Sequence, residues 1–163
     1  MAFASRSDLL ARSNARRLAQ LAVPADVDMV PDDALRAAIA GSGLSAFSPT
    51  EQAALVLALE AIDNALADAD ALILSYGIPA TVQTTLLARL ASTVALYYLQ
   101  GAERMTDDVR KAYEGVLETL KAHSRGDLDL IPAAPVDPAP SGDLVFIESQ
   151  PRRYRSGGDE VGL

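Results

Sequence analysis

The residue types that move protons, attack bonds or hold metals are sparse in this chain. His123 is its one imidazole, and there is no cysteine, which removes disulfides, thiolate nucleophiles and Cys-zinc sites. His123 falls between Lys121 and Arg125 at the expected end of a helix, where cations complement the carboxyl-terminal dipole; a capping or solvent-facing role fits it better than catalysis. Asp63, Asp68 and Asp70 raise the question of a divalent cation. Their spacings along one helix do not converge on a point, and no Glu-x-x-His pair accompanies them, so they are expected on a solvated face. Gly41-Ser42-Gly43 lacks the lysine and the strand context of a phosphate loop, and there is neither a G-x-S-x-G elbow nor a Ser-x-x-Lys pair. The expectation is a protein without enzymatic activity, metal or cofactor. One cluster stands out as a binding element instead: Pro151, Arg152, Arg153, Tyr154 and Arg155, basic and aromatic in an acidic chain. Arginine and tyrosine anchor many protein interfaces; the plainer alternative is a solubilising end.

These residues need elements to position them. The chain has 163 residues, half of them hydrophobic, enough for one domain with a modest core. Alanine and leucine dominate the apolar fraction, which favours helix. A net charge of −8 gives little support to general nucleic-acid binding, which needs basic surface to displace counterions. The same sign suits either plain solubility or a channel through which DNA slides without sticking. The opening Met1-Ala2-Phe3-Ala4-Ser5-Arg6 lacks the apolar core of a signal peptide. Residues 78–99 are the most apolar stretch, but Gln83, Thr84, Thr85, Arg89, Ser92 and Thr93 interrupt them, so a buried soluble helix is expected and no membrane partner.

The helices follow from caps and periodicity. Ser5 with Asp8 starts a helical stretch over residues 5–22, with Leu9, Leu10, Leu18 and Leu21 as its apolar contacts and Asn14 as a point of division. A short helix over residues 31–40 carries Leu35 and Ile39 on one face. Ser48-Pro49-Thr50-Glu51 is the clearest start signal, combining a serine cap, proline in the first turn and a returning glutamate. Leu55, Leu59, Ile62, Leu66, Ala69, Ile73 and Tyr76 then form a heptad stripe that ends at Gly77. Pro79 is expected to open the next helix, over residues 79–100, with Val82, Leu86, Leu90, Val94 and Tyr97 on one face and Arg89 as its sole charge. Thr106-Asp107-Asp108 caps a further helix with Val109, Tyr113, Val116, Leu117 and Leu120 inward.

Past Gly126 the composition changes. Pro132, Pro135, Pro138 and Pro140 read as a stiff tether, followed by the β-prone run Leu144-Val145-Phe146-Ile147. No partner strand is expected in the helical part, so this run would pair outside its own domain. The reading is an all-α bundle of about four to five helices with an extended tail carrying a short strand. Its parts are a helical domain over residues 1–126, a Pro-rich linker over 127–142 and a docking tail over 143–163.

The order of several short motifs resembles the Mu-like prophage head–tail connector family, the neck adaptors of tailed phages. They are Ser7-Asp8-Leu9-Leu10-Ala11-Arg12, Ala65-Leu66-Ala67-Asp68-Ala69-Asp70 leading to Tyr76-Gly77-Ile78-Pro79, and Leu87-Ala88-Arg89-Leu90-Ala91 running into Ala95-Leu96-Tyr97-Tyr98-Leu99. Val109-Arg110-Lys111-Ala112-Tyr113-Glu114, Gly126-Asp127-Leu128-Asp129-Leu130 and Ser149-Gln150-Pro151-Arg152 complete the set. Residues 23–48 are longer than the family pattern, and Arg153 intervenes where an aromatic usually follows Pro-Arg. The resemblance implies a structural virion protein made in the bacterial cytoplasm, a closed ring of about twelve copies beneath the portal. Its neighbours would be the portal on one side and a tail-side neck or tail-terminator protein on the other, with DNA passing through unbound. A small regulatory, antitoxin-like helical protein with a partner-binding tail is the alternative reading.

Overall fold

The protein is described here by a computed structural model covering residues 3–101 and 104–132. Among the described residues there are six helices and no strand: α1 (Arg6–Arg12), α2 (Ala15–Ala22), α3 (Asp32–Ile39), α4 (Pro49–Ser75), α5 (Thr85–Gln100) and α6 (Asp107–Ser124). The count exceeds the expected four to five because Asn14 does divide the first stretch. Its side chain accepts from the Arg17 N–H at 2.7 Å, capping α2 just after α1 has ended at Ser13. The β-prone run Leu144 to Ile147 lies outside the described residues.

The start signals act as their chemistry requires. Ser5 and Asp8 form a reciprocal capping box on α1, and Ser48 and Glu51 form another on α4 with Pro49 in the first turn. Thr106 caps α6, whose first turn carries Asp107 and Asp108. Gly77, at φ 86°, takes the left-handed conformation that lets the chain leave the end of α4 without a Cβ clash.

Pro79 does not open α5. The chain makes a turn there, with the Val82 N–H donating to the Pro79 carbonyl at 3.0 Å, and Thr84 is the cap, its hydroxyl accepting from Leu87 N–H. Thr81, Val82, Thr84 and Thr85 are β-branched and disfavour an early helical start, while a threonine hydroxyl satisfies an orphan N–H that a proline cannot. The later start goes with a rotated face. Leu87 is fully buried whereas Leu86 is 47% exposed, so the inward face is Leu87, Leu90, Ala91, Val94 and Ala95 rather than the one through Leu86.

The core lies between α4 and α5. On α4 the heptad stripe is buried at Leu55, Ile62, Leu66, Ala69 and Ile73, and Ala54, Ala58 and Ala65 are buried beside it. Ala91 and Ala95 line α5, so small side chains let the two helices pack closely. Around this pair, α5 also touches α1, α2 and α6, while α2 and α3 pack against α4 as well. That central position explains why α5 is apolar over most of its girth. Met1–Pro132 belongs to one compact unit. Residues after α6 belong to that unit: Leu130 is buried, and His123 Nδ1 accepts from the Leu130 N–H or, in the other tautomer, donates to the Leu128 carbonyl.

Candidate functional site

The sequence placed its docking residues in the tail. Leu144, Val145, Phe146, Ile147, Pro151, Arg152, Arg153, Tyr154 and Arg155 all lie outside the described residues. The helical unit holds the remaining candidate residues, its titratable groups among them.

His123 sits in the last turn of α6 and holds the chain that follows. Its Nδ1 is 3.3 Å from the Leu130 N–H, which can donate to it when the ring proton is on Nε2, and 3.1 Å from the Leu128 carbonyl. The ring thus fastens residues 128–130 against the helix end. The α4 acids are likewise structural. Asp63 accepts Arg6 Nε at 2.7 Å and pairs with the rest of the guanidinium, and this holds its carboxyl below the usual aspartate range. Asp70 accepts the Phe3 N–H at 2.9 Å; partial burial raises its pKa, and that hydrogen bond opposes the rise. The two acids dock the N-terminal segment onto α4, while Asp68 is exposed. Among the described residues no group of three or more His, Cys, Asp or Glu side chains could hold a metal. Among them, too, no helix is long and apolar enough to cross a membrane.

Two surfaces that sequence reasoning missed stand out instead. One is aromatic. Tyr97 of α5 and Tyr113 of α6 stack with ring centres 3.9 Å apart and planes 8° from parallel, and Tyr98 leans edge-on toward Tyr97. Burial, with the phenols of Tyr98 and Tyr76 nearby, pushes the Tyr113 hydroxyl up to about 12. The sequence assigned Tyr76, Tyr97 and Tyr113 to separate inward faces; all three are in fact half-buried, and the 3.6-residue period alone could not show that these faces meet.

The other surface is basic. Two adjoining depressions of about 360 and 170 Å³ share Ala11 and Arg12 and run between α1 and α5, the larger reaching α6. Arg12, Arg17 and Arg89 line them, together with Leu96 and Ala112. All three arginines are exposed, and none is in an ion pair among the described residues. Ser13 Oγ, on the same wall, is buried without a hydrogen-bond partner among them. A signal for this groove existed in the sequence: Arg89 is the only charge on α5, set among small and hydroxyl residues.

Fold and surfaces together define an all-helical domain that offers unfilled aromatic, apolar and basic surface. Residues 3–149 match the protein family described as Bacteriophage Mu, Gp36, and the chain belongs to that family. The match spans the helical unit and extends into the β-prone run. Membership supports a phage structural or morphogenesis protein and a virion component. No protein among the curated ones matches the chain.

Proposed function

We propose that the protein is a head–tail connector of a tailed phage, assembling as a ring beneath the portal and joining the capsid to the tail. The observation that carries this reading is the family match over residues 3–149. A single family thereby takes in both a rigid helical unit and the start of a Pro-tethered segment. The physical division of labour is simple. The helical unit supplies the ring body, and the segment over residues 143–155 supplies main-chain hydrogen bonds and arginine and tyrosine anchors for the portal. One such segment binds weakly; many, held in register by a ring, bind with large avidity. The acidic composition suits a channel wall that DNA passes without sticking.

Two measurements test the proposal. Phage lacking the protein should accumulate filled heads and separate tails, and normally joined particles would overturn the connector reading. Deleting residues 143–163 should abolish co-sedimentation with the portal while leaving the helical circular-dichroism melt in place. Retained attachment would overturn the docking role of the tail.

A further inference from the structure

The basic groove has a counterpart on the far side of the same helix pair. The helix α4 presents a second heptad series, Ala53, Leu57, Glu60, Asn64, Ala67, Ala71 and Leu74, every member of it exposed. At 100° per residue this series lies roughly opposite the buried stripe through Leu55, Ile62 and Ile73 that packs on α5. It forms a ridge with Leu57 42% and Leu74 46% exposed, flanked by Val56 at 62%. The ridge carries Glu60, the exposed Asp68 flanks it, and α4 contains no lysine or arginine at all. On α5, the groove residues Ala88, Arg89, Ser92 and Leu96 are in turn roughly opposite the buried Leu87, Ala91 and Val94. An acidic, apolar ridge and a basic, apolar-walled groove therefore face away from each other across the α4–α5 pair.

We propose that the occupant of the groove is the α4 ridge of a second copy of this chain. Charge decides the pairing. Ridge against ridge would oppose Glu60 and Asp68 to their own kind with no cation on either helix, and groove against groove would oppose Arg12, Arg17 and Arg89. Within the groove the one acid, Asp8, accepts from the Ser5 N–H and hydroxyl at 2.8 and 2.6 Å, and its single negative charge against three arginines leaves the groove net positive. Only ridge to groove matches charge, and it sets the leucines and alanines of α4 against Ala11, Leu96 and Ala112. Because the two surfaces differ and lie on opposite sides, the contact is heterologous: a joined pair keeps one free ridge and one free groove, and repetition builds a ring where the rotation closes. This inference rests on the ring reading above and deepens it by naming the surfaces between subunits.

The chain has no cysteine, so a designed pair reports cleanly. In the full chain, Asn64→Cys on the ridge is combined with Ala112→Cys in the groove and treated with a short bismaleimide. The expected result is a ladder of dimers, trimers and longer species from the double variant, with neither single variant giving more than background. Reversal of Arg12 and Arg89 to Glu should abolish the ladder, and adding Glu60→Arg with Asp68→Arg should restore it, which a mere loss of folding would not allow. A lone Asn64→Cys variant that dimerises would show ridges meeting each other and overturn the pairing. A missing ladder from a chain that still sediments as a multimer, alone or on the portal, would overturn the pairing and leave the ring reading standing. A missing ladder from a chain that stays monomeric in both settings would remove both.

Discussion

Arg6 and Asp63 form one of the three ion pairs among the described residues. Their bidentate contact joins the first helix to the longest one, yet both side chains are more than a third exposed, 38% and 47%, so screening keeps its contribution within about 1 kcal/mol. The sign of its pH dependence follows from the direction of the shift. The folded-state pKa of Asp63 is depressed, so the pair stabilises the fold above the ordinary aspartate value of 3.8 and that contribution is lost as pH falls through the depressed folded value. Asp70 runs the other way. Its raised pKa means that ionisation at neutral pH is disfavoured by burial, and an amide oxygen could still accept the Phe3 N–H. Asp63→Asn should therefore lower the urea midpoint at neutral pH and lose less than the parent on acidification, whereas Asp70→Asn should hold or raise the neutral midpoint. A midpoint lowered more by Asp70→Asn than by Asp63→Asn would contradict this account.

At the scale of elements, the second heptad position separates what the sequence made legible from what it did not. Capping boxes are local, so Ser5-Asp8 and Ser48-Glu51 could be read directly, as could the seven-residue rhythm of α4. The start of α5 depended on competition between two plausible caps, Pro79 and Thr84. That contest is decided by backbone geometry over residues 79–84, which no periodicity reports. A helix apolar on most sides also carries no internal mark of which leucine points inward, and so the expected face, buried at Leu90 and Val94, put Leu86 inward where Leu87 is. The groove went unseen for a related reason: α1 and α2 are distant in sequence from α5, and only packing brings Arg12 and Arg17 to the same pair of depressions as Arg89. The rotation has a measurable consequence. Leu87→Ala should cost about 2–5 kcal/mol through cavity formation at a fully buried site, and Leu86→Ala about 0.5 kcal/mol or less. Denaturant melts of the two variants compare them directly, and equal losses would place the inward face elsewhere.

For the molecule as a whole, the decisive boundary is where the helical unit stops. Glycine at 126 ends α6 with φ 80°, and composition alone puts the helical domain's limit there. Yet the next residues continue to contribute to the core. Leu130 is 5% exposed, its N–H reaches His123 Nδ1, and the Ile131 N–H is held by the Asp129 carboxylate at 2.9 Å. A buried leucine is worth about 2 kcal/mol of apolar transfer, so a chain cut after residue 126 should melt at lower denaturant than one cut after residue 132, by about that amount. Leu130→Ala in the full chain should reproduce most of the difference, because the loss comes from one side chain rather than from chain length. If the two truncations melt alike, residues 127–132 are a mere leash and the tether is six residues longer. If they differ as argued, the tether begins at residue 133, and its reach to a portal or a neighbour is shorter by about 20 Å of extended chain. If the protein assembles as the proposed ring, that difference sets which neighbours the segment over residues 143–155 can span, and so its effective concentration at the proposed docking site.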